Sequence, residues 1–450
     1  MPLRSWQPLL LIALALFVGL KPAHGRDLME VWQLALERDP IYAASGYARA
    51  ADQERVPQAR AQLLPYVSAE AGADLDNSRR TSGLSDSRTE RRAAWSLALI
   101  QPVFDLPAWN NLQRADFEAS QADIAHRIAY QDLMLRTAQA YFDVLAVQDS
   151  LRALMSEKAA IETQLLAAQQ SFELGATTIT DAHEAQARLD LVLANEVSLR
   201  NELQLAEDAL ARIIAERPGR LAQLARDATL PSPEPNRLDD WVAQASHAGL
   251  TVTNAELQTR IIEKDIDIAR GQHAPTVAFV ARTGSASDFG MDGYRSGPRS
   301  LDSSVGLQVS IPLYTGGGIS SRVREQTTRL QQARALLENA RRETIQAAQR
   351  HFKGVVSGLA QIAALQAAER SSQAALEANR TGYEIGVRIN IDVLNAEQQL
   401  YVTQRALARA RYDTLMDGLR LKAAAGILQE SDLAAINALL TPAESSSEAP

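Results

Sequence analysis

The sequence predicts a mainly α-helical chain carrying a small set of membrane β-strands, with one architecture used twice. Three observations predict it. A register shift of about 210 residues lays the second half of the chain over the first, a period too long for a solenoid unit and suited to a duplicated half-molecule. Four short segments alternate apolar and polar residues with a period of two, the pattern of strands with one wet and one dry face. Most of the remainder is long, alanine-rich and nearly free of Gly and Pro, as long helices are.

The repeat is visible in particular residues. Ala59-Arg-Ala-Gln-Leu-Leu-Pro65 returns as Ala269-Arg-Gly-Gln-His-Ala-Pro275, Gln101-Pro-Val-Phe104 as Ile311-Pro-Leu-Tyr314, and Phe172-Glu-Leu-Gly175 as Tyr383-Glu-Ile-Gly386. Trp32 answers Trp241, and Phe142 answers Phe352. Residues 26–237 and 238–440 are therefore read as two similar repeats, each with helices, a strand pair and a long helical hairpin. The strand pairs fall at about 66–104 and 276–314, the hairpins at about 108–215 and 318–425.

The first residues read as a secretory signal. Arg4 supplies a positive start, Leu9 to Leu20 is an apolar run, and Ala23-His-Gly25 brings small residues to the cleavage position, so residues 1–25 are expected to be removed before Arg26. The run is too short to span a bilayer, which needs about 20 residues. With no cysteine, the chain has neither disulfides nor a lipid-bearing N-terminal cysteine. The formal net charge of -8 becomes more acidic when Arg4 and Lys21 leave with the signal, which argues against nucleic acid as a partner. No later segment is a continuous apolar run long enough for a spanning helix; a span made of strands stays open.

The four alternating segments come next. Tyr66 to Asp76 sets Val67, Ala69, Ala71, Ala73 and Leu75 against Ser68, Glu70, Gly72 and Asp74, and Ala93 to Phe104 sets Trp95, Leu97, Leu99 and Val103 against Ser96 and Ala98. In the second half Val277, Phe279 and Ala281 mark one strand, and Val305, Leu307, Val309, Ile311 and Leu313 face away from Ser304, Gly306, Gln308 and Ser310 in another. Each has about ten residues, the length of a tilted outer-membrane strand; a pair of soluble hairpins shares the pattern. Asn77 to Arg92 and Gly284 to Asp302 read as long polar loops, as on the outside of a barrel.

The helical segments, Trp109 to Leu174 and Ser320 to Gly382, each predict about 60 residues and a reach of about 90 Å. Ile161, Leu165, Ala168 and Phe172 follow coiled-coil spacing. Such helices suit a tube, and equally a solid bundle or rod. Each ends in a related device, Phe172-Glu-Leu-Gly-Ala-Thr-Thr-Ile-Thr-Asp181 and Tyr383-Glu-Ile-Gly-Val-Arg-Ile-Asn-Ile-Asp392, with a glycine to stop one helix and an aspartate to start the next. Asp181 with Glu184 fits a capping box, so both aspartates also suit a purely structural role. No enzyme motif survives: His183-Glu184 lacks a second histidine four positions after the first, and Gly316-Gly-Gly318 lacks the following Lys-Ser/Thr of a phosphate loop. Residues 441–450 have the composition of a disordered tail.

Six segments, in order, carry a family resemblance: Leu28-Met-Glu-Val-Trp-Gln-Leu-Ala, Leu63-Leu-Pro, Gln101-Pro-Val-Phe-Asp105, Thr137-Ala-Gln-Ala-Tyr-Phe-Asp-Val144, Val192-Leu-Ala-Asn-Glu-Val197 and Val387-Arg-Ile-Asn-Ile-Asp-Val-Leu394. The chain resembles the TolC family of trimeric outer-membrane efflux and type I secretion ducts. The resemblance implies a homotrimer in outer-membrane lipid, four strands per protomer in a shared twelve-stranded barrel, and a continuous periplasmic α-helical barrel closed at its tip. It further implies a periplasmic adaptor and an inner-membrane transporter of ABC or RND type, and no cofactor, metal or catalytic site. By position, Tyr383, Arg388, Thr180, Asp181 and Gln170 match residues that hold the tip shut, and Asp392 matches an aspartate that rings the constriction. Asn395 departs from the pattern, standing where a second ring aspartate is expected. A periplasmic helical scaffold or a surface adhesin is the rival reading.

Overall fold

The computed structural model of the chain describes residues 25–80, 86–175, 178–289 and 300–441. The expected signal and most of the expected tail lie outside the described residues. In order the elements are α1 (Leu28–Arg38), α2 (Pro40–Gln53), α3 (Arg55–Ala61), β1 (Tyr66–Arg80), β2 (Asp86–Phe104), α4 (Leu106–Glu173), α5 (Ile179–Ile214), β3 (Gln223–Leu224), α6 (Leu238–Ala248), α7 (Leu250–Gly271), β4 (Thr276–Phe289), β5 (Ser300–Ser310), α8 (Gly318–Glu384), α9 (Asn390–Ala424), α10 (Glu430–Asn437) and β6 (Leu440–Thr441). The protein is mostly helical with a sheet part. No described helix is long and apolar enough to cross a membrane. The chain divides into two compact units.

One unit comprises Gly46–His126 and Thr251–Arg341 and holds the main sheet. Its strands run antiparallel in the order β1-β2-β4-β5. Directly paired residues lie on the same face, and the register puts Val67, Ala69, Ala71, Ala73 and Leu75 in line with Trp95, Leu97 and Leu99, then Val277, Phe279 and Ala281, then Leu301, Val305, Leu307 and Val309. The other face carries Ser68, Glu70, Asp74, Ser96, Arg282, Asp302, Ser304 and Gln308. The apolar face is bare in a single chain: Val305 is 72% and Leu307 69% exposed. The only polar link on it among the described side chains is the 2.9 Å hydrogen bond between Thr283 and Ser303.

Three expectations change here. The segments read as long loops are strand wherever they are described, since β1 continues to Arg80 and β2 begins at Asp86, while β4 continues to Phe289 and β5 begins at Ser300. Backbone pairing needs no apolar side chains and propagates past the point where the alternation fades. The connections themselves, 81–85 and 290–299, lie outside the described residues. β5 ends at Ser310, so Ile311 and Leu313 are not strand residues; Pro312, which cannot donate to a ladder, follows at once. Thr441, expected in the tail, pairs with Gln223 in a small β3-β6 ladder.

In β2 the register shifts between Pro102 and Phe104, where a proline has no N–H to give, and the strand ends there. Gln101 Nε2 donates to the carbonyls of Leu63 and Pro102, tying the strand end to the preceding helical turn. α4 then starts under a side-chain cap, with Asp105 accepting from the Ala108 N–H at 2.9 Å.

The other unit comprises the described chain up to Ser45, Arg127–Leu250 and everything from Arg342. Its core packs Trp32, Leu133, Met134, Tyr141, Phe142, Leu210, Ile214, Met416, Leu419 and Leu433. Tyr141 is fully buried and its hydroxyl donates to the Ala222 carbonyl at 2.8 Å. Trp241 is buried against Ala245, Ala348, Leu421 and Ala425, its Nε1 donating to the Pro235 carbonyl. Glycine at 354 and 358 does not interrupt α8. A Cβ at either would collide with Asp417 or Thr414, so these glycines let α9 approach closely. Further along, Leu154, Ile161 and Leu165 of α4 pack on Ala185 and Val192 of α5 and Leu394 of α9. Of the expected coil series, Phe172 alone is largely exposed.

Candidate functional site

The two helix-to-helix turns are built alike. α4 ends with Gly175 at φ 71°, and α8 with Gly386 at φ 78°, the left-handed conformation that a glycine adopts without steric cost. Gly175 donates to the Phe172 carbonyl at 2.9 Å, and Gly386 to the Tyr383 carbonyl at 3.0 Å. The next helices start at Ile179 and Asn390, with Thr178 and Ile389 as extended residues preceding them. Residues 176 and 177 lie outside the described residues.

Asp181 is therefore the third residue of its helix and does not precede it, and the expected capping box with Glu184 is absent. Thr178, already extended, occupies the cap without a side-chain hydrogen bond. Asp392 stands at the same third position of α9. Both carboxylates therefore stand in the first turn of a helix.

Around Asp392 the geometry is local. Arg388 Nη1 lies 3.7 Å from Asp392 Oδ2, one turn on. The backbone N–H groups of Val387 and Arg388 both donate to the Gly382 carbonyl, at 2.9 and 3.0 Å. The arginine stem consequently crosses buried Gly382, where an added Cβ would stand 2.6 Å from Arg388 Cγ. Tyr383 is half-buried with Leu376, Val393, Leu400 and Ala396. Burial, with the charge of Asp181 adding to it, raises its phenol above the ordinary value. Thr180 and Gln170 are exposed and their side chains make no hydrogen bond among the described residues; Asn395 is exposed one turn beyond Asp392. Within one chain, then, Arg388 meets Asp392, Tyr383 feels Asp181, and Gln170 and Thr180 meet nothing.

The residue that joins the two turns is one the sequence reading passed over. Asn390 is 1% exposed, donates through Nδ2 to the Asp181 carbonyl at 3.2 Å, and accepts from Gln164 Nε2 at 2.5 Å. It thereby links α9 to α4 and α5 in one contact. Its sequence signal is weak: an asparagine opening a helix reads as a cap, and only burial reveals the cross-link. The described residues contain no cluster of potential metal ligands.

Comparison with known proteins gives this arrangement its context. The model of a family described as outer membrane efflux protein matches residues 31–216 and again 241–427. The outer membrane protein TolC of Escherichia coli (strain K12) is 33% identical over 442 residues, covering 96% of this chain and 88% of TolC. The proteases secretion protein PrtF of Dickeya chrysanthemi is 32% identical, covering 94% of this chain and 93% of PrtF. Among solved structures, the outer membrane protein VceC of Vibrio cholerae shares the fold with a TM-score of 0.76 at 21% identity, over 89% of this chain and 96% of that one. The chain belongs to the outer membrane efflux protein family, and within it to the TolC-like ducts of the Gram-negative outer membrane.

Proposed function

We propose that three copies of this chain close a twelve-stranded barrel in the outer membrane, as the upper part of an exit duct for efflux and type I secretion. The observation that carries this reading is the four-stranded sheet. It has one apolar face, one polar face and two open edges, β1 and β5. In hydrocarbon an open edge leaves backbone groups unpaired at several kcal/mol each, so the sheet must meet other copies of itself. The polar face then lines the passage and the apolar face meets lipid. Residues 1–25 serve as the export signal, and the two matched segments support a duplicated chain with repeats at 26–237 and 238–440.

In this reading α4, α5, α8 and α9 continue as the periplasmic barrel, and the turns at Gly175 and Gly386 form its tip. Asp392 from three copies rings the constriction, with Asn395 replacing a second ring. Arg388 and Tyr383 latch the coils through Asp181, Thr180 and Gln170, partly across protomers. A periplasmic adaptor docks at the tip and an inner-membrane transporter, of ABC or RND type, loads the duct. Neither nucleic acid, cofactor nor chemistry enters. One relative is named for protease secretion; for this chain the cargo is set by the transporter, and copurification with a tagged transporter identifies it. The test of assembly is native mass measurement of protein extracted from outer membranes. A trimer is expected, and a folded monomer in the membrane overturns the proposal.

A further inference from the structure

The coil helices bring two carboxylic acids into a largely buried contact. α4 contributes Glu157, 4% exposed, and α9 contributes Glu397, 2% exposed. Arg380 of α8 pairs with Glu397 Oε1 at 2.7 Å, while Glu397 Oε2 is buried without a partner. Glu157 makes neither a hydrogen bond nor an ion pair among the described residues. The charged and titratable groups around it are Arg188 of α5 and Arg405, Glu397 and Tyr401 of α9, with Arg380 of α8 beside Tyr401. Arg188 is already engaged, donating to Gln398. Glu157 is largely withdrawn from water and given no protein donor; burial of this kind disfavours the charged carboxylate and favours the protonated form. Glu397 has Arg380 in direct contact with one of its oxygens, whereas Glu157 has the charges of Arg405 and Arg188 near it but no ion pair.

We propose that this junction is a clasp tightened by protons, in which protonation of Glu157 favours the packed arrangement of α4, α5, α8 and α9 over any arrangement that returns Glu157 to water. The direction of its titration agrees. Burial raises the carboxyl above its ordinary value of 4.5 and the nearby Glu397 adds to this, against the opposing charges of Arg405 and Arg188. The sign follows by linkage. A carboxyl that holds its proton more tightly in the packed state contributes stability below the ordinary value, and that contribution is lost as pH rises through the raised one. The clasp is tight in acid and loosens toward neutral pH, by at most tenfold in the packing equilibrium for each unit separating the two values. This chemistry stands apart from the gate at Asp392, whereas its consequence for conduction rests on the duct reading above.

Hydrogen exchange of the full mature protein in detergent, at pH 7.5 and pH 5.0, tests it. Peptides spanning residues 150–165 and 376–405 are expected to gain protection in acid beyond the change in intrinsic exchange rate. Glu157→Gln, which imitates the protonated group, should show acid-level protection at pH 7.5 and lose the gain. Glu397→Gln, which strands Arg380, should lower protection at both pH values, so two isosteric changes move the junction in opposite directions. The proposal is overturned if the parent gains nothing in acid, if Glu157→Gln keeps the parent's gain, or if Glu157→Gln is less protected than the parent at pH 7.5. Should exchange respond while single-channel conductance does not, the clasp stands and the assignment of these coils to the gate falls.

Discussion

Arginine placed on β5 tests whether the sheet meets lipid with the face its register assigns. The apolar series on this strand runs from Leu301 to Val309, eight steps of about 3.3 Å, or about 20 Å of membrane depth if the strand tilts by about 40°. Val305 is its centre and pairs with Ala281; Leu307, paired with Phe279, lies two residues off centre. An arginine on the lipid face costs about 2–4 kcal/mol at the midplane and about 0–1 near the interface. Val305→Arg should therefore cost most, Leu307→Arg somewhat less, and Val309→Arg least, each counted three times in a trimer. Gln308 pairs with Ala278 on the face that already holds Arg282, Asp302 and Ser304, so Gln308→Arg puts its charge in water. The assay is denaturant unfolding of the assembled protein in lipid vesicles, with gel mobility of the unheated assembly, proposed above to be a trimer, as a second readout. If Leu307→Arg and Gln308→Arg are tolerated equally, the sheet does not face lipid in this register, because a slip of one residue exchanges the two faces.

Other expectations concern the turns. Asn390→Ala removes the cross-link between α9 and the other hairpin and leaves Gln164 and the Asp181 carbonyl to find new partners, a loss of about 1–3 kcal/mol; a thermal melt unchanged from the parent would show the cross-link to be idle. Asp392→Ala should reduce cation preference and block by divalent ions in planar bilayers, whereas Arg388→Ala combined with Tyr383→Phe should raise single-channel conductance. An Asp392→Ala channel with its parent's cation preference would return Asp392 to a helix-end role.

The sequence made much of this legible, and for a physical reason. Strand faces and long helices are written in local periodicity, which is why the alternation at Val67 to Leu75 and Val305 to Val309 appears unchanged in the sheet. Strand ends were not legible, since Asn77 to Arg80 are polar and pair through backbone groups that leave no mark in side-chain chemistry. Gly354 and Gly358, inside α8, are contact points with α9, a property of the neighbour and not of the helix itself. The proposed gate residues rest only on a resemblance, and their geometry in one chain explains why. Gln170, Thr180 and Asn395 are exposed there, and under the proposed gate their contacts come from a second copy, which no local pattern encodes.

The Arg388–Asp392 pair shows how such a copy would act. The two side chains are 57% and 35% exposed and 3.7 Å apart, Arg388 in the turn before α9 and Asp392 in its first turn. An exposed ion pair contributes about 0.2–1 kcal/mol, so Arg388 gives it up readily. A hydrogen bond to a charged, partly buried group contributes about 1.5–3 kcal/mol, and Asp181 on an adjoining coil offers one. Under the proposed gate the same arginine therefore has two employments that exclude each other. When it latches the coils, Asp392 is left uncompensated and the ring is at its most negative. When the latch opens, Arg388 falls back on Asp392 and cancels the charge as the passage widens. Cation preference should then be strongest in the low-conductance state and fade in the open one, and Arg388→Ala should break that correlation by leaving the ring charged in both. Recordings in which the parent's selectivity is the same at every conductance level would mean that Arg388 stays with Asp392 throughout, and the latch would have to be sought in Tyr383 and Asn390 alone.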